Sequence, residues 1–94
     1  MTSTETRNQR KEALNNRFAR MFKEQPVNGM KCFLLEDGQL FRVDTFMDKD
    51  CLVLEFAESA ETAKQYEFED GDRYYMEDMD EEQMYEAMLE ELRM

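Results

Sequence analysis

Apolar residues near the start of the chain recur at the spacing of a helix. They are Leu14, Phe18, Met21 and Phe22, at positions i, i+4, i+7 and i+8. This period predicts an amphipathic helix over residues 13–25, which Pro26 ends because a residue before proline is disfavoured in the helical region. Residues 1–12 contain only one apolar side chain, that of Met1. We therefore expect them to fray.

The middle of the chain changes to strand-like patterns. Asn28-Gly29 is a turn signal, and two apolar runs joined at Asp37-Gly38 predict a hairpin. In its second arm Phe41, Val43, Thr45 and Met47 share one face, and Arg42 and Asp44 share the other. The segment CLVLEFA predicts a third strand, apolar enough to lie inside the sheet.

A fourth strand is predicted after the polar connection ESAETA. KQYEFED alternates Tyr66 and Phe68 with polar residues, and Gly71 should end this strand. Tyr74 and Tyr75 then begin either a further short strand or an irregular link. These patterns predict a β-meander over residues 31–76.

The last segment, MEDMDEEQMYEAMLEELRM, predicts an acidic helix over residues 80–93. Asp80 and Gln83 form a capping-box pattern, and Met79 is placed to pack on Met84 as a hydrophobic staple. One stripe of the helix carries Met84, Tyr85, Met88, Leu89 and Leu92, and the far side carries Glu82, Glu86 and Glu90.

These elements predict an α+β fold in the order α-β-β-β-β-α. An antiparallel meander of three to four strands would pack against an N-terminal and a C-terminal helix, both on one face of the sheet. Ninety-four residues are enough for one modest core, so we expect a single domain over residues 1–94.

The chain is similar from about residue 34 onward to the YrzB-like family, small acidic Firmicutes proteins of uncharacterised function. LLEDGQLFRVDTF, CLVLEF, YEFEDG and MEDMDEEQMYEAMLEEL carry the resemblance. It implies an acidic meander closed by an acidic helix, and a bacterial cytosol. It implies no activity, and residues 1–25 lie outside it.

Charge divides the chain into two unlike parts. Residues 1–30 carry six basic and three acidic side chains, whereas residues 31–94 carry six basic and twenty acidic ones. Direct nucleic-acid binding by the acidic part is disfavoured, because that affinity comes from neutralising phosphates. The N-terminus lacks the apolar run of a signal peptide and no stretch has the length of a membrane span, which predicts a cytoplasmic protein without membrane contact.

Enzymatic chemistry has little support in this composition. Histidine is absent and no phosphate-binding glycine loop occurs, so we expect no catalytic residue and no cofactor. Cys32 and Cys51 are expected to be reduced, buried thiols. Asp78, Asp80 and Glu82 match the first ligand positions of a calcium loop, but its glycine and its final glutamate are missing, so we expect no metal site.

The remaining hypothesis is a small acidic module that binds a basic protein surface. It includes the narrower hypothesis of a nucleic-acid mimic, of bacterial or phage origin, that inhibits or regulates a nucleic-acid-binding protein. The candidate partner-binding residues are Glu67, Glu69, Asp70, Asp72, Asp78, Asp80, Glu82, Glu86 and Glu90.

Three alternatives stay open. The acidity could serve solubility in an assembly or structural protein. The basic residues near the N-terminus could contact RNA or DNA, with the protein acting as an adaptor. Those residues are Arg7, Arg10, Lys11, Arg17, Arg20 and Lys23. The same cations could instead pair with the protein's own acids, within a monomer or across a homodimer.

Overall fold

The computed structural model describes residues 6–46 and 49–93. Within them the elements are α1 (Arg7–Phe18), β1 (Lys23–Glu24), β2 (Phe33–Leu34), β3 (Leu40–Thr45), β4 (Cys51–Ala57), α2 (Ala60–Lys64), β5 (Glu69–Tyr75) and α3 (Glu81–Leu92). The strands form one antiparallel sheet in the order β1-β2-β3-β4-β5. The predicted α+β fold is confirmed, with one strand more than expected.

Two apolar clusters lie on opposite faces of the sheet. Side chains alternate along β3, so Phe41 and Val43 join one cluster while Leu40 joins the other. The larger cluster is Leu14, Phe18, Phe33, Phe41, Val43, Leu52, Leu54, Tyr74, Met84 and Met88. It places α1 and α3 together on one face, as predicted. The smaller cluster buries Ala63 of α2 on the other face.

The N-terminal helix begins earlier and ends earlier than predicted. Thr6 and Gln9 form a capping box, so α1 starts at Arg7. Arg10 is only 5% exposed, and its Nη1 donates to the Met79 carbonyl at 2.9 Å. The expectation of fraying is therefore wrong for residues 7–12, because the buried face of their helix includes an arginine and is not purely apolar. Residues 1–5 lie outside the described part.

The chain leaves the helix at Phe18 rather than at residue 25. Lys23 and Glu24 pair as β1 with Leu34 and Phe33 of β2, an interaction that the sequence pattern did not predict. Phe22 still reaches the core, with its ring centre 5.1 Å from that of Phe41.

Both predicted turns are present. Asn28 and Gly29 have φ values of 51° and 80°, and Gly38 has a φ of 92°, in the left-handed region that these residues tolerate. A charge cluster lies on the face of β3 and β4 opposite the larger apolar cluster, where Arg42 Nη1 is 2.6 Å from Glu55 and 3.0 Å from Asp44. The predicted position of Met47 on the opposite face lies outside the described residues.

The prediction for the last strand is wrong in position. Ser59 and Thr62 form a capping box that starts α2 inside the expected loop, and Tyr66 then turns the chain with a φ of 59°. Strand β5 begins only at Glu69 and continues through Gly71 to Tyr75. The alternation of Tyr66 and Phe68 therefore belongs to a turn and its exit.

A β-bulge explains why Gly71 lies inside the strand instead of ending it. Leu54 of β4 stands opposite two residues of β5, Gly71 and Asp72. A Cβ on Gly71 would overlap the Glu91 carboxylate and would lie 2.9 Å from the Phe56 ring. The glycine thus permits close approach of α3 and β4 to the bulge.

Helix α3 follows its predicted pattern. Asp80 caps it, accepting from the Gln83 amide at 2.8 Å while the Gln83 side chain accepts from the Asp80 amide at 2.9 Å. Met84 and Met88 are fully buried. Tyr85, Leu89, Leu92 and the predicted staple residue Met79 are partly buried against the same cluster.

Candidate protein-interaction surface

All of the predicted partner-binding carboxylates are exposed in the folded chain. These are Glu67, Glu69, Asp70, Asp72, Asp78, Asp80, Glu82, Glu86 and Glu90. They lie on several elements of the fold. The glutamates of α3 lie on the helix layer, whereas Glu67 and Glu69 lie at the exit from α2 and the start of β5.

The row of exposed glutamates on α3, Glu82, Glu86 and Glu90, is called the ridge here, and it carries less free charge than the sequence pattern predicted. Glu82 lies 2.9 Å from Arg17 Nη2, and Glu81 lies 3.4 Å from Arg17 Nη1. Within the described residues, Glu86 and Glu90 form no ion pair. These two side chains, one helical turn apart, carry the unneutralised charge of the ridge.

Arg17 combines two kinds of contact. Its guanidinium carbon lies 4.0 Å from the centre of the Tyr85 ring while its nitrogens reach Glu81 and Glu82. A planar guanidinium can stack on an aromatic face and donate hydrogen bonds in its own plane at the same time. The contact joins α1 to the first two turns of α3.

Half of the N-terminal cations have partners inside the protein. Arg7 lies 3.6 Å from Asp50 and donates to the Lys49 carbonyl at 2.8 Å, in addition to the contacts of Arg10 and Arg17. In the described part of the chain no ion pair involves Lys11, Arg20 or Lys23. The first group supports the hypothesis of internal pairing, and the second leaves a smaller basic surface than the sequence suggested.

A shallow groove of about 410 Å³ lies beside Glu67 and Glu69. Only Glu67 and Glu69 of its seven lining residues were candidates from the sequence, and Glu58 and Tyr66 were among those missed. Tyr66 is 65% exposed, the larger exposure of two large apolar side chains on the described surface. The alternation of Tyr66 with Phe68 suggested a half-buried strand face, and nothing in it signalled the left-handed turn that exposes the tyrosine.

Another open groove, of about 1010 Å³, lies between the end of α3 and the β2–β3 turn. Phe22, Leu89 and Leu92 contribute apolar walls, and charges of both signs line its rim, including Glu36 and Arg93. This mixture gives no charge preference for an occupant.

Glu91 of α3, which is not among the candidates from the sequence, has a structural role. Its carboxylate accepts from the Tyr74 hydroxyl at 2.5 Å and from the Asp72 amide at 3.0 Å. Burial, and next the adjacent Glu91 carboxylate, raise the pKa of the Tyr74 hydroxyl well above its usual range.

The two cysteines are buried and unpaired, as predicted. Burial raises the pKa of the Cys32 thiol, which disfavours the reactive thiolate. In the described segments, no three His, Cys, Asp or Glu side chains are grouped so that they could hold a metal ion. Asp80 serves there as a helix cap.

No helix in the described part of the chain has the length and apolar character needed to cross a membrane. No family model, curated protein or solved structure matches the chain. The resemblance to the YrzB-like family therefore stays a prediction.

Proposed function

We propose that this chain is a small, non-enzymatic binding module that engages the basic surface of a partner protein. The observation that carries the proposal is the exposure of all nine candidate carboxylates while Arg7, Arg10 and Arg17 are turned toward the protein itself. These internal pairs leave the net charge of −11 unchanged, and the exposed carboxylates that they do not neutralise keep the surface acidic. Opposite charges would steer a basic partner to it.

Glu86 and Glu90 are the proposed centre of the contact on α3. Both are exposed on the side opposite the buried Met84 and Met88, so they can meet a partner without any change in the core. Glu82 is already neutralised by Arg17 and would contribute less. A general protein-binding role therefore has more support than mimicry of a regular phosphate backbone, which needs a longer array of free charges.

The alternative of an adaptor that contacts RNA or DNA through α1 is weaker. Arg10 is buried and Arg17 is paired with two glutamates, so neither offers a free cation to a phosphate.

A solubilising role for the acidity predicts that carboxylates at different positions are interchangeable. Position dependence therefore separates the two readings.

The test is affinity capture from host-cell lysate at low and high ionic strength, followed by quantitative mass spectrometry. The variant Glu82→Gln/Glu86→Gln/Glu90→Gln is compared with Glu12→Gln/Glu36→Gln/Glu61→Gln, which changes three exposed carboxylates elsewhere and gives the same net charge. We expect a basic protein to be lost from the first variant, retained by the second, and released from the wild type by salt. Equal retention by both variants would contradict the proposal, and competition by duplex DNA would separate mimicry from other binding.

A further inference from the structure

The groove beside Tyr66 combines aromatic and acidic groups. It lies where β4 ends, α2 passes and β5 begins. Its lining residues are Phe56, Glu58, Thr62, Tyr66, Glu67, Phe68 and Glu69. Three aromatic rings and three carboxylates therefore line one concave surface, and none of these lining residues is basic.

The cations near the groove do not neutralise it. Arg42 lies 5.8 Å from the centre of the Phe68 ring, but its guanidinium is held by Asp44 and Glu55. Lys64 is close in sequence, yet in the described part of the chain it forms no ion pair. Among the described residues no ion pair involves the glutamates of the groove, so the field in the groove favours a cation.

The protein contains an internal example of the cation that suits such a surface. Arg17 stacks on Tyr85 at 4.0 Å and pairs with Glu81 and Glu82. The groove presents Tyr66 with Glu67 and Glu69, the same types of group without the arginine. Aromatic rings and carboxylates both bind a guanidinium better than an ammonium group. The guanidinium is planar, weakly hydrated and able to bind a carboxylate through two nitrogens.

We propose that the groove binds an arginine side chain of the basic partner. The guanidinium would stack on the exposed Tyr66 ring, and its nitrogens would donate to the neighbouring glutamates. This inference rests on the proposed function and deepens it, because it assigns a specific anchor to one part of the acidic surface. A polar anchor of this kind supplies orientation as well as attraction.

Tyr66 allows the anchor to be removed without a cost to folding. Its side chain is largely exposed, and its φ of 59° lies in the region that asparagine tolerates better than tyrosine. Tyr66→Asn should therefore keep or raise the melting temperature. Met21→Asn is the matched control, since Met21 is the other large exposed apolar side chain, at 56%.

The probe is a short acetylated and amidated peptide with a single arginine, titrated into the full chain and followed by NMR. The control peptide replaces arginine with citrulline, which keeps the shape and removes the charge. We expect amide shifts at residues 66–69 with the arginine peptide alone, and an affinity reduced roughly twofold to tenfold in Tyr66→Asn but unchanged in Met21→Asn. Glu67→Gln/Glu69→Gln, with Tyr66 intact, should also weaken binding.

Three results would contradict arginine binding in the groove. They are equal amide shifts with the citrulline peptide, shifts confined to α3, and unchanged affinity in both groove variants. If Tyr66→Asn lowers the melting temperature, the double glutamine variant decides. If partner capture depends on the α3 glutamates but is unchanged in the groove variants, the arginine anchor is contradicted and the proposed function is not. If the groove binds the arginine peptide but no basic protein is captured from the lysate, the proposed function is contradicted and arginine binding by the groove is not.

Discussion

The Tyr74 hydroxyl donates a 2.5 Å hydrogen bond to the carboxylate of Glu91, joining β5 to the last turn of α3. The other carboxylate oxygen accepts from the Asp72 amide at the β-bulge. The Glu91 carboxylate thus accepts hydrogen bonds from two donors, the buried phenol and a backbone amide at the point where the β4–β5 pairing is interrupted. The acidic helix is attached to the sheet by one of its own glutamates, while Glu86 and Glu90 face outward.

Gly71→Ala should destabilise the fold. The new Cβ would meet the Glu91 carboxylate, the Phe56 ring at 2.9 Å and the Leu54 carbonyl oxygen at 3.0 Å. We expect a loss of about 1–3 kcal/mol in the free energy of unfolding, as for other overpacked sites. Urea unfolding measures it. The same substitution should cost less in a Glu91→Ala background, and an equal cost in both backgrounds would contradict the role of the carboxylate.

The free energy of unfolding should fall at alkaline pH, because the unfolded state ionises the Tyr74 phenol more readily than the folded state does. Its pKa is raised in the folded state, mainly by burial and then by Glu91, so the folded state favours the protonated phenol. The contribution is complete below the unfolded pKa of about 10 and is lost as pH rises above it. Tyr74→Phe should flatten the decline in urea midpoint at high pH, whereas Tyr75→Phe should keep it. An unchanged slope in Tyr74→Phe would refute this assignment.

Arg10→Ala should destabilise the protein although it removes a charged residue near a terminus. Arg10 is buried, and it donates to the Met79 carbonyl just before α3. Loss of its packing and of this bond should cost about 1–3 kcal/mol, measured by thermal or urea unfolding. Lys11→Ala, one residue further along the same helix, is expected to change stability by less than about 0.5 kcal/mol. Similar costs for both would mean that Arg10 does not anchor the helix.

The strongest sequence predictions were those with two independent signals. Helix α3 had both an apolar period and the Asp80–Gln83 capping pattern, and it lies where predicted. The burial of Arg10 could not be predicted, because the Met79 carbonyl to which it donates a hydrogen bond is distant in the chain. The late start of β5 was also missed, since the alternation of Tyr66 and Phe68 does not reveal the helix α2 and the left-handed turn at Tyr66 that precede the strand.

The candidate surface was predictable in composition but not in geometry. Every candidate partner-binding carboxylate is exposed, yet periodicity could not show that Arg17 reaches Glu82 or that the Tyr66 ring is exposed to solvent. Both depend on how segments far apart in sequence meet. The groove therefore appears only in the folded chain.

The cysteines should react slowly with a thiol reagent in the native protein. Cys32 and Cys51 are both fully buried, so labelling requires local or global opening. We expect native labelling to be slower by orders of magnitude than labelling in denaturant, as followed by absorbance with a chromogenic disulfide. Cys32→Ser/Cys51→Ser should lose stability and keep partner binding. Rapid labelling under native conditions would show that at least one thiol is accessible.

The most direct test of the acidic module is the ionic-strength dependence of its association rate with the captured partner. Glu86→Gln/Glu90→Gln should slow association and flatten the salt dependence, because it removes two exposed charges of α3. Glu12→Gln/Glu36→Gln, with the same net charge, should resemble the wild type. If the two double variants gave the same rates and the same salt slope as each other, the position of these charges would not matter, and the acidic face of α3 would be only a solvated surface.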